Sequence, residues 1–274
     1  MPKGFLATSA IMAASETEGL EGSRTKLERR RDLKNAYPCR FYREASIKVS
    51  NGTFALCLDG RLAKTPAGNV LALPSRAASQ AVLSEWEAQG ETIDFAAMPL
   101  TRIVHSAIDG VTPRLEKVAA EIRNYAGSDL VCYRAGEPEE LVEAQADAWD
   151  RVLVFAQKKL GASFIRAEGV VFSEQPPAAL SAVDEALASI AACRAAAPFK
   201  MAALFVMTTL TGSALLALAV AYGEMTAAEA WFAAHVDEDF EMRRWGEDAQ
   251  ALFRREQQWR EMAAAAGLFR AVSF

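Results

Sequence analysis

Asp237, Glu238, Asp239 and Glu241 fall within the stretch VDEDFEMRRWG, just after His235 and beside Arg243, Arg244 and Trp245. Residues of these types do one of three things. A histidine with carboxylates holds a metal or moves protons, charges of both signs dress a solvated helix face, and acids beside an aromatic recognise another protein. The metal reading is short of ligands, since H-x-x-E supplies too few and no HExxH occurs. His105, the only other histidine, sits between Val104 and Ser106 in a helical pattern and reads as a packing residue. No G-x-S-x-G, Walker A or Rossmann glycine pattern is present, and nothing singles out a serine or cysteine nucleophile.

The local pattern says how these groups are held. Thr226 and Glu229 form a T-x-x-E capping box and Gly246 marks a stop, which predicts a helix from Ala227 to about Trp245. At about 100° per residue, Trp231, His235, Glu238, Met242 and Trp245 share one stripe within roughly 80° of arc. Asp237 and Glu241 lie off it as a solvated flank, and Asp239 is spaced to pair with Arg243. Glu238 is the odd acid, because its stripe neighbours are aromatic, thioether and imidazole. Such a carboxylate needs a partner: either His235 satisfies it internally, or it is a recognition group set in an aromatic patch.

Around this segment the chain divides in two. Asn51-Gly52 and Asp59-Gly60 join alternating apolar residues into short antiparallel hairpins, Val70 to Leu73 gives another strand, and Ser75 caps a helix that stops near Gly90. A helix over about 100–108 should break at Asp109-Gly110, with Thr112 as N-cap and Pro113 opening the next. Asp129 to Arg134 reads as extended. From Glu139 onward helical patterns dominate, including 141–160 and 178–193. The expected fold is α+β: a tail over 1–36, a small α+β domain with short antiparallel strands over 37–120, a helical orthogonal bundle over 121–266, and a second tail over 267–274.

Composition narrows the function classes. Thirty basic and thirty-five acidic residues give a net charge of −5, which argues against nucleic acid. Four dispersed cysteines, Cys39, Cys57, Cys132 and Cys193, form no CxxC pair and fit a reducing compartment. The 22 uncharged residues 201–222 meet the length for a bilayer span. Thr208, Thr209, Thr211, Gly212 and Ser213 make the centre of this run polar, so it reads as the buried helix of a bundle. Residues 1–36 suit neither a signal nor a transit peptide, because Glu16, Glu18 and Glu21 follow a short apolar run.

RFYREASI, LDGRLAKTPAGNVLALPS, AVLSEWEAQGETID, MPLTRIVHSAIDGV, SDLVCYRA, the Gln145/Trp149 helix and HVDEDFEMRRWG occur in one order. As an ordered set, over about residues 38 to 262, they resemble the assembly chaperones of the ATP synthase catalytic head. The resemblance implies a two-domain protein with no catalysis and no cofactor or metal. It would hold the unassembled alpha subunit until that meets the beta subunit. It also places the family's functionally important glutamate at Glu238, with its neighbour Asp239 as a second contact. Beside them Trp231, Met242 and Trp245 are either the aromatic and apolar anchors of such a contact or part of the core. Glu241 and Met242 depart from the glutamine and aliphatic residue of many relatives. A monomer without stable membrane insertion is expected, in bacterial cytoplasm or alternatively the mitochondrial matrix. The rival from another class is a small-molecule enzyme working in a cleft between the two domains.

Overall fold

The computed structural model describes residues 38–169 and 171–272; the tail expected over 1–36 lies outside them. The chain forms two compact units. In the first, Cys39 bridges Thr92 in antiparallel fashion. Arg40 N–H donates to the Glu91 carbonyl at 2.9 Å, and Ile93 N–H to that of Pro38 at 2.9 Å.

The second unit, residues 41–89 with 94 onward, opens on a small sheet. Strands β1 (Ala45–Ser50) and β2 (Thr53–Leu58) pair antiparallel from Ala45↔Leu58 to Ser50↔Thr53. On the other edge of β2 lie β3 (Arg61–Leu62) and β4 (Ala72–Leu73), also antiparallel. Both expected hairpins form. Asn51, Gly52, Asp59 and Gly60 all have positive φ, the backbone that two-residue turns between twisted strands require. Helix α1 (Arg76–Glu87), capped by Ser75, covers β1 and β2 with Val82, Leu83 and Trp86.

Helix α2 (Pro99–Ser106) does not break at Asp109-Gly110. It widens into a π-helical turn, Ala107–Val111, and passes through a 3-10 turn into α3 (Leu115–Gly127). Thr112 is therefore helical rather than a cap, and its hydroxyl donates to the Ala107 carbonyl at 2.9 Å. The reason is tertiary: the Asp109 carboxylate accepts from Thr65 Oγ1 at 2.6 Å, Asn69 Nδ2 at 2.9 Å and Ala67 N at 3.1 Å. It thus pins the KTPAGN loop. Residue 120, where the sequence reading divides the chain, lies inside α3.

The expected extended segment at 129–134 is a 3-10 turn, Leu130–Cys132, followed by a two-residue strand β5 (Tyr133–Arg134). That strand runs parallel to β6 (Ala167–Glu168). Helix α4 (Glu139–Phe155) and its π turn to Leu160, then α5 (Pro177–Ala191), match the helices expected there. The apolar run 201–222 is not one helix but two, α6 (Ala197–Thr211) and α7 (Ala214–Ala221), both largely buried. Gly212 at φ 65° turns the chain, and Ser213 caps α7. Asp129, fully buried, takes the Ser213 hydroxyl at 2.5 Å and Leu215 N–H at 3.0 Å. Burial pushes its pKa up to about 6, against these hydrogen bonds.

Among the described residues no single helix is long and apolar enough to cross a membrane. The last helices are α8 (Ala227–Ala234), α9 (Val236–Trp245) and α10 (Ala249–Ala271). α10 packs along α6 and absorbs residues 267–271, which the sequence reading assigned to a tail. Leu268 and Phe269 are buried there, which is why the helix continues.

Candidate functional site

The helix expected over Ala227 to Trp245 is two helices. α8 starts at the predicted capping box: Glu229 Oε2 accepts the Thr226 N–H at 2.7 Å while Thr226 Oγ1 accepts the Glu229 N–H at 3.2 Å. It ends at His235, whose backbone leaves helical geometry at φ −113° and ψ 19°. Two contacts account for the stop. The Trp149 indole N–H donates to the Ala233 carbonyl at 2.6 Å, and His235 Nδ1 donates to the Trp231 carbonyl at 2.7 Å. Both carbonyls at the end of α8 thereby find side-chain donors. The His235 carbonyl then accepts the Asp239 N–H at 2.8 Å, and α9 begins.

The break divides the predicted stripe. Trp231 is only 5% exposed, with its ring 4.0 Å from His235 and 5.9 Å from Trp259, so it belongs to the packing and not to an open patch. Trp245 is 77% exposed, and Met242 is half-buried. Glu238 is not buried: its side chain is 69% exposed and its Oε2 lies 4.0 Å from His235 Nε2. With Nδ1 carrying its proton toward Trp231, Nε2 presents a lone pair to that carboxylate. Burial holds the His235 pKa below its usual value, despite the carbonyl bond and the nearby carboxylates of Glu238 and Asp239. Glu238 therefore lies mostly in solvent, 4.0 Å from His235, rather than buried against it.

Its neighbours are committed elsewhere. Asp237 is no solvated flank; Gln145, itself buried, donates to its Oδ1 at 2.7 Å and accepts the Ala135 N–H at 2.8 Å. Asp239 pairs not with Arg243 but with Arg255 of α10, in a two-pronged contact whose second bond is 3.1 Å. Gln145 and Trp149, one helical turn apart on α4, thus fix the α8–α9 junction from beneath. Above it, α9 buries only Phe240. The product is a rigidly mounted helix with an acidic, tryptophan-ended outer face. Arg243 lies 6.0 Å from the Phe240 ring and Arg244 6.0 Å from the Trp245 ring.

Phe232, Leu252, Arg255 and Trp259 also belong to this surface, and the sequence reading missed them. The signal was present in α10, where 252, 255 and 259 follow a helical spacing of three and four. Among the described residues no group of three or more histidine, cysteine, aspartate or glutamate side chains is placed to hold a metal ion.

The two-helix junction thus holds an acidic, tryptophan-ended face on a fixed base. Comparison with known proteins gives the chain a family. The model of the ATP12 chaperone protein matches residues 39–157. The crystal structure of Atp12 from Paracoccus denitrificans superposes with a TM-score of 0.79 at 36% identity, covering 86% of this chain and 99% of that one. A crystal structure from Agrobacterium tumefaciens gives a TM-score of 0.82 at 41% identity, covering 94% of each chain. The mitochondrial protein atp12 of Schizosaccharomyces pombe is 25% identical over 139 residues, 47% of this chain and 48% of that protein. This chain therefore matches about half the length of that curated relative. The chain belongs to the ATP12 chaperone family.

Proposed function

We propose that this protein is an assembly chaperone of the ATP synthase that binds the unassembled alpha subunit of the catalytic head and shields it until it meets the beta subunit. It does so without catalysis and without a cofactor, in bacterial cytoplasm or, alternatively, the mitochondrial matrix. Membership of the ATP12 chaperone family supports the reading. The observation that carries it is the placement of Glu238: a largely exposed carboxylate on a pinned helix, 4.0 Å from a buried imidazole. A basic or N–H-donating group on the client pairs with it. Asp239, Met242 and Trp245 complete the contact set on α9, while Trp231 supports them from below.

The test is co-purification of the freshly expressed alpha subunit with wild type and with Glu238→Lys, each checked by circular dichroism. Capture by wild type and a loss of at least about ten-fold in the folded variant is the expected result. Equal capture by both would remove Glu238 from the contact, and no capture by wild type would overturn the client.

A further inference from the structure

Beside α9 lies a groove of about 420 Å³ between α8 and α10, lined by Trp231, Phe232, Leu252 and Trp259 together with Asp239, Arg255 and Glu256. Phe232 is 63% and Leu252 37% exposed. From 249 to 261 no residue of α10 is fully buried, and Leu252 and Phe253 are exposed.

The charged residues that line the groove are paired. Asp239 and Arg255 neutralise each other, and Glu256 pairs with Arg260 at 2.6 Å. Glu238 stands at the edge, one residue from Asp239 and 4.0 Å from the His235 ring that stacks against the Trp231 wall. The groove is thus largely apolar, its lining charges are paired, and the Glu238 carboxylate lies beside it. Its walls are side chains of helices whose backbone groups bond internally, so an added β-strand finds no ladder there. A helix laid in the groove needs only an apolar stripe.

Resting on the function proposed above, we infer that this groove seats an amphipathic helix of the client. Its apolar residues, spaced three and four apart, lie against Phe232, Leu252 and Trp259, and a lysine or arginine one turn away meets Glu238. The inference adds α8 and α10 to a contact otherwise confined to α9, and it states the chemistry of the segment bound.

The test measures binding of purified alpha subunit to the full chain carrying Phe232→Glu, Leu252→Glu or Leu252→Ala. Phe172→Glu serves as a control, since Phe172 is 68% exposed and lies outside the groove. Expected is a loss of at least ten-fold for both glutamate variants, a smaller loss for Leu252→Ala, unchanged circular dichroism, and wild-type binding by Phe172→Glu. Groove variants that bind normally while Glu238→Lys fails would overturn the groove and leave the proposed function standing. Equal losses in the control would overturn it as a general charge effect. A wild-type dimer that the groove variants make monomeric, with capture intact, would assign the groove to a second copy of this chain. Failure of wild type to bind the alpha subunit would remove both the client and the groove's occupant.

Discussion

Gln145 and Asp237, 92 residues apart in the chain, are joined by a 2.7 Å hydrogen bond that fixes the first turn of α9 to helix α4. Asp237 is thereby spent on position, while the next residue, Glu238, faces outward. Gln145→Ala leaves a partly buried carboxylate without its donor, at a cost of about 1–3 kcal/mol. Denaturant unfolding should register that loss, and client affinity should fall with it although no contact residue has changed.

The two tryptophans of the predicted stripe should separate by mechanism. Trp231→Ala removes a packed ring and is expected to cost about 3–5 kcal/mol. Trp245→Ala, at an exposed position, should stay within about 0.5 kcal/mol of wild type while weakening client capture. Thermal melts beside capture assays distinguish the pair.

The Asp239–Arg255 contact ties α9 to the half of α10 that has no fully buried residue. Arg255→Ala should leave global stability nearly unchanged, because the pair is partly exposed. Hydrogen exchange over 249–258 should quicken relative to 262–269, where Met262, Ala265 and Phe269 are packed.

Asp129 gives a pH signature of opposite sign to most carboxylates. Burial raises its folded pKa to about 6, above an unfolded value of about 3.9. The folded protein binds the extra proton, so this residue's contribution favours folding in acid and is lost as pH rises from about 4 through about 6. Urea titrations of wild type and Asp129→Asn across that range should show the difference in stability changing by up to about 1.4 kcal/mol per pH unit.

What the sequence disclosed depended on where the controlling contact lay. Asn51-Gly52, Asp59-Gly60, Ser75 and the Thr226–Glu229 box act within a few residues of themselves, and each forms as expected. The stripe that singles out Glu238 assumes one helix from Ala227 to Trp245, and the structure divides it. The break at His235 was not visible, because Trp149, more than eighty residues away, takes the carbonyl that would have continued the helix. The same holds at Ser213, where the cap depends on Asp129, and at Asp109, whose bonds to the 65–69 loop let a helix run on through a glycine. Asp239 found Arg255 rather than Arg243 for a related reason: a partner on another helix cannot be read from spacing along one.

The bend at Gly212–Ser213 also bears on where the chain goes in a cell. Uncharged residues 201–222 form one continuous apolar run in the sequence, and insertion machinery recognises length and apolarity before any fold exists. Folded, the run is split between helices of 15 and 8 residues, or about 22 and 12 Å at 1.5 Å per residue, both short of the roughly 30 Å hydrocarbon layer. Glycine, serine and threonine at the bend lower the apolarity of the nascent segment at its midpoint and then form the turn that the buried aspartate closes. Replacing Gly212 and Ser213 with leucine would remove the turn and strengthen the membrane signal together, so the expected product is a chain misdirected to the bilayer as well as a destabilised one.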